Sequence, residues 1–123
     1  MGDDTPCTVR AVQGARYVSE RDGWTIVEVT GDLDLATAPA LRQEVIALIG
    51  DGRRRIVLDL TGTDFLDSLG LGLVVAIAKR VRVNGGELAI VCPEPRLKRV
   101  FRIVDLDQIL PLHESVEEVL GRT

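Results

Sequence analysis

Histidine is almost missing from this chain: His113 is the only one in 123 residues. That scarcity excludes a histidine-based metal centre and leaves one candidate base, near a chain end, for nucleophilic catalysis. Cysteine is nearly as rare. Cys7 and Cys92 are the two present, with no Cys-x-x-Cys and no framework of staples. A reduced, cytoplasmic setting is the simplest reading. Aromatic residues make up 3% of the chain, so the core must come from Val, Leu, Ile and Ala. No apolar run reaches the ~18 residues of a membrane span. The opening MGDDTPCTVR carries acids where a signal peptide needs bases. Positive charge is in deficit too: 15 Lys and Arg face 19 Asp and Glu, a formal net charge of −4. Nucleic acid is therefore an unsuitable partner, since binding its phosphates needs a basic surface.

What is present suits a single domain, residues 1–123, with a loose segment over 1–7. Apolar residues reach 46%, enough for a real core. Residues 8–12 and 17–19 are weak candidates for a first edge strand. Glu20-Arg21-Asp22-Gly23 is a hairpin turn, with Asp-Gly as its cue. WTIVEVT, residues 24–30, alternates and is rich in β-branched residues, so it is expected to be the antiparallel second strand. Trp24 is expected to pack at a sheet edge. Thr37 is a predicted N-cap with Pro39 in the first turn. Leu41, Val45, Leu48 and Ile49 then follow at helical spacing up to Gly50-Asp51-Gly52. The run Arg53-Arg54-Arg55 reads as a solvated strand entrance.

Ile56, Val57, Leu58, Asp59 and Leu60 predict a short buried strand. After a turn through residues 61–64, the stretch 65–83, FLDSLGLGLVVAIAKRVRV, holds the central helix, expected over 69–83. Asp67 and Ser68 both suit its N-cap, because their oxygens can accept from the first-turn N–H groups. The serine is thus expected at the positive end of a helix, near the surface, where a phosphate is well placed. The helix opens apolar or bare on every side. Its first two turns are therefore either buried or a patch awaiting a partner. Gly70 and Gly72 would let another chain segment come close. Lys79, Arg80 and Arg82 suit the helix end, and Asn84-Gly85-Gly86 stops it. ELAIV, 87–91, is a further strand. Cys92 is expected to be buried and structural, and Pro95 starts a helix carrying Leu97, Val100, Phe101 and Val104. A last edge strand over 108–112 and a helix over 113–120 complete the chain.

No catalytic constellation is legible. Asp32 and Asp34 make a weak metal pair without a third ligand. Gly70-x-Gly72 lacks the third glycine of a dinucleotide loop. Asp59, Asp64 and Asp67 lack the spacing of a phosphotransfer cluster. The chain is expected to be no enzyme and to hold no metal or cofactor.

IVLDLTGTDFLDSLGLGLVVA resembles the signature of STAS domains, in particular the small anti-sigma factor antagonists of bacteria. The matching residues are Asp67, Ser68, Gly70, Leu71 and Gly72. Leu69 stands where that pattern more often has a hydroxyl residue. Gly31-Asp32-Leu33-Asp34 and NGGELAIVCPEPRLKRVFRIVDL also fit. The resemblance implies an α/β STAS-like domain with about four helices. Its mixed sheet would have four to five strands, parallel after an N-terminal antiparallel hairpin. It implies Ser68 as a site phosphorylated by a partner anti-sigma factor with serine kinase activity, reversed by a serine phosphatase. It also implies a partner-binding surface of Asp32, Asp34, Asp67, Leu69, Gly70, Leu71 and Gly72. The competing expectation is a STAS scaffold or ligand-binding accessory module without a phosphoswitch.

Overall fold

The computed structural model describes residues 10–12, 16–103, 105–106 and 110–121. The expected loose segment 1–7, strand residues Thr8 and Val9, helix residue Val104 and the start of the last strand at Gln108 lie outside them. An antiparallel unit opens the chain: β1 (Arg10–Val12), β2 (Arg16–Arg21) and β3 (Trp24–Glu28). The β2–β3 turn places Asp22 at φ 52° and Gly23 at φ 86°. Such left-handed backbone is what a two-residue hairpin demands and what Asp-Gly tolerates. Beyond β3 the sheet turns parallel through β5 (Arg55–Asp59), β7 (Glu87–Val91) and the two-residue β8 (Leu112–His113). The strand order is β1-β2-β3-β5-β7-β8. This is the expected mixed α/β sheet, widened to six strands because the first candidate strand is two and β8 pairs at the far edge.

Inner strands β3, β5 and β7 are apolar on both faces, which is why they read as near-continuous runs. One face presents Val27, Ile56, Leu58 and Ile90 to the main core. Against it lie α1 (Ala38–Gly50), α2 (Ser68–Val83) and α3 (Pro95–Ile103), through Leu41, Val45, Val74, Ile77, Leu97 and Phe101. The opposite face presents Trp24, Ile26, Val57 and Val91 to α4 (Val116–Leu120). Trp24 does pack, but on an inner strand and under a helix rather than at a sheet edge. Arg55 stacks over its ring at 5.1 Å.

The last helix is shorter than the sequence predicts. Ser115 caps it by accepting from Glu118 N at 3.1 Å, and His113 belongs to β8. The arginine run behaves as a strand entrance: Arg53 pairs with Glu20, and Arg55 faces Glu87 at 3.9 Å. A second, two-stranded parallel sheet was not expected. It joins β4 (Gly31–Leu33) to β6 (Thr63–Leu66), in segments that sequence alone assigned to loop and turn.

Candidate functional site

The β4–β6 ribbon positions the serine. Its register sets Gly31 against Thr63, Asp32 against Phe65 and Leu33 against Leu66. Alternation then buries Leu33 and Leu66 and turns Asp32 and Phe65 outward. One buried tie locks the ribbon to the end of β3: Thr63 Oγ1 donates to Val29 O at 2.7 Å. Within the ribbon itself, Gly31 N donates to Gly62 O at 3.0 Å. The chain leaves β6 through Asp67 and enters α2.

Asp67 is the N-cap, not Ser68. Its backbone is extended and its Oδ1 accepts from Gly70 N at 2.8 Å. Its own N–H reaches Leu33 O at 3.5 Å, which ties the helix entry to β4. Ser68 is therefore the first helical residue, and it is exposed. No described residue accepts from the N–H of Ser68 or Leu69. The free donors and the helix dipole leave a positive end beside the hydroxyl.

The glycines divide their roles. A Cβ on Gly70 would lie 2.4 Å from Leu33 O and 2.9 Å from Leu66 Cδ1, so only glycine lets α2 sit this close to β4. A Cβ on Gly72 would meet nothing within 4 Å. The first turns of α2 thus meet both alternatives that their apolar character left open. Gly70, Leu71, Leu73 and Val74 are buried, while Leu69 is 53% exposed. Gly70 and Leu71 lie buried against the domain.

Asp32 is exposed and Asp34 half-buried. Asp34 is occupied by its own loop, its Oδ1 accepting from Ala36 N at 3.0 Å and Thr37 N at 3.3 Å. Thr37 precedes α1 as expected but caps it with no side-chain bond. Its hydroxyl donates to Asp32 O at 2.7 Å and accepts from Asp34 N at 3.0 Å. This local turn is what brings Leu35, 70% exposed, into the same cleft as Leu69. Phe65 adds a third exposed apolar side chain, 51% exposed, opposite Asp32. Sequence reasoning missed Leu35 and Phe65. The one available signal was large apolar residues in segments taken for loops. Arg96, from α3, was missed too; its Nη2 donates to Asp64 O at 2.9 Å and braces β6.

Elsewhere, burial pushes the Cys92 thiol up to about 11, as expected of a structural cysteine. Among the described residues no group of three or more His, Cys, Asp or Glu is placed to hold a metal ion, and no helix is long and apolar enough to cross a membrane.

The STAS domain model matches residues 16–119, and the chain belongs to the STAS family. BtrV of Bordetella bronchiseptica is 36% identical over 96 residues, 78% of this chain and 83% of that protein. The anti-sigma-B factor antagonist of Staphylococcus aureus is 34% identical over 97 residues, 79% of this chain and 90% of that one. The crystal structure of an anti-sigma factor antagonist from Mycobacterium paratuberculosis superposes with a TM-score of 0.79 at 29% identity, covering 94% of this chain and 93% of that one.

Proposed function

We propose that this protein is an anti-sigma factor antagonist switched by phosphorylation of Ser68. Unmodified, it binds an anti-sigma factor with serine kinase activity and frees a sigma factor. The kinase transfers the γ-phosphoryl group of ATP to Ser68 Oγ: the new O–P bond forms as the bond to ADP breaks, and the hydroxyl proton passes to the kinase. A serine phosphatase reverses the modification. The chain is thus the substrate of chemistry and a binding module, not itself an enzyme.

The observation that carries this reading is an exposed hydroxyl on the first residue of a 16-residue helix, beside two N–H groups from which no described residue accepts, with Leu69 next to it and Leu35 and Phe65 also exposed. The helix end tolerates a phosphate within the fold. An interface does not: about −1.5 to −2 charges must be desolvated where Leu35, Phe65 and Leu69 meet a partner. A loss of a few kcal/mol corresponds to tens to hundreds of fold in affinity. Of the expected partner-binding residues, Asp32, Leu69 and Gly72 face outward with Ser68, while Asp34 and Asp67 hold the loop and the helix entry.

The test is incubation with ATP and the cognate kinase, read by intact mass, together with calorimetry on variants. Wild type should gain one phosphate and Ser68→Ala none. Ser68→Ala should bind the anti-sigma factor at wild-type strength whether or not ATP is present, and Ser68→Asp tens of fold more weakly. Equal binding by both variants refutes the switch. Lipid co-purifying with the unmodified chain would favour the accessory-module reading instead.

A further inference from the structure

The solvent side of α1 and α2 carries a groove that meets the Ser68 switch only at its Leu35–Leu69 lip. Two clefts form it, one of about 330 Å³ and one of about 350 Å³, and Arg42 lines both. The groove begins at Leu35 and Leu69 and ends at Val83, which is 83% exposed. Along α2 its wall is Leu69, Leu73, Ala76, Arg80 and Val83, a strict alternation of four- and three-residue steps. Along the facing wall, Leu35, Pro39, Arg42 and Ile46 step by four, three and four. Two such rails are the seam onto which another helix lays its own apolar stripe.

Charge selects the occupant. The chain as a whole is acidic, at −4, yet no acidic residue lines either cleft. Arg42, Lys79 and Arg80 line the groove, and none has an ion-pair partner among the described residues. An apolar floor with unpaired cations fits an apolar stripe flanked by carboxylates. This chain has no such helix to spare among its described residues. The acids Glu117 and Glu118 sit on α4, which has five residues and already spends Val116, Val119 and Leu120 on the Trp24 face.

We propose that the α1–α2 groove is a second docking surface and that it takes an acidic amphipathic helix of a partner protein. From Leu69 to Val83 the floor runs about 21 Å, some four helical turns. The site goes beyond the phosphoswitch and shares only the Leu35–Leu69 lip with it.

The probe is a lactam-stapled, fluorescein-labelled peptide of about 16 residues, with Leu at the seam positions and Glu on the flanks. Its counterpart carries Lys for Glu. Binding to the full chain is read by fluorescence anisotropy. The acidic peptide should bind at least tenfold more tightly than the Lys peptide. Arg42→Glu with Arg80→Glu should reverse that preference, and Val83→Asp, at an exposed position, should weaken both peptides. Circular dichroism melts confirm folding of each variant. Equal binding of the two peptides, no binding of either, or indifference to the charge reversal overturns the proposal. So does co-sedimentation with phosphatidylglycerol vesicles without peptide binding, or a dimer that the charge reversal dissociates. Repeating the titration on Ser68→Ala separates this from the switch: peptide binding there stands or falls regardless of whether Ser68 is ever phosphorylated.

Discussion

Gly70 and Gly72 lie two residues apart in one helix, and substitution should move stability in opposite directions. Alanine at either position gains up to about 1 kcal/mol of helix propensity. At Gly70 the new methyl meets the carbonyl of Leu33, which is backbone and cannot swing aside. Overpacking of this kind costs about 1–3 kcal/mol, so Gly70→Ala should be net destabilising. At Gly72 nothing opposes the gain, and Gly72→Ala should raise the denaturation midpoint. Shifts of the same sign in urea titrations would refute the close-approach account of Gly70. Cys92 gives a second residue-scale outcome. Its thiol is fully buried, and its pKa stands at about 11 in the fold against 9.0 for the free group. Between pH 9.0 and about 11 the unfolded chain loses this proton while the folded one keeps it. Its contribution to stability is therefore whole below pH 9.0 and declines above it, by about 3 kcal/mol in all. The pH dependence of unfolding should be shallower in Cys92→Ala over that window, and in a Cys7→Ser background Cys92 should resist thiol reagents at pH 8 until the chain unfolds.

The element on which the site depends is the ribbon of β4 and β6 with the first turn of α2. Asp67 links them, capping the helix while its backbone reaches Leu33. Asp67→Ala should cost about 1 kcal/mol, the usual worth of a lost N-cap, and Asp67→Asn should restore most of it, since the amide oxygen can still accept. Denaturant titrations decide it, and an unchanged midpoint in Asp67→Ala would remove the cap from the account. Sequence made the α2 entry legible because capping and helical spacing are local. The same holds for β3, β5 and β7, whose β-branched or apolar runs reflect burial on both faces. The ribbon escaped because its strands have only three and four residues and pair across thirty residues of chain; Gly31 and Thr63 read as turn chemistry until their partners are seen. Asp67 and Ser68 were interchangeable as caps on sequence grounds. What separates them is the extended backbone at Asp67. Phe65 stayed invisible for the same reason as the ribbon, because its exposure follows from long-range pairing, while the exposure of Leu35 follows from the side-chain hydrogen bonds of the Asp34–Thr37 turn, which spacing alone does not reveal.

Across the whole molecule the two sheet faces do different work. One carries α1 and α2 with Ser68 at their outer end; the other is closed by α4 over Trp24. The separation makes the single tryptophan a reporter of one face and Ser68 of the other. Trp24 is 2% exposed, covered by Val116, Val119 and Leu120 and by the Arg55 guanidinium. Ending the chain at Glu114 removes those three side chains. Burial of a full aliphatic side chain contributes about 1.5–3 kcal/mol, so the loss is a large share of a domain's 5–15 kcal/mol. Tryptophan emission should shift to the red and become quenchable by acrylamide, and the unfolding midpoint should fall steeply. Val119→Ala is the milder partner experiment. It should lower the midpoint while leaving native emission blue, because Val116 and Leu120 still cover the ring. In that variant phosphorylation of Ser68 and affinity for the anti-sigma factor should match wild type, since the β-sheet stands between the two faces. A fall in phosphorylation rate in a folded Val119→Ala protein would mean that the sheet transmits what happens under α4, and that the faces are coupled.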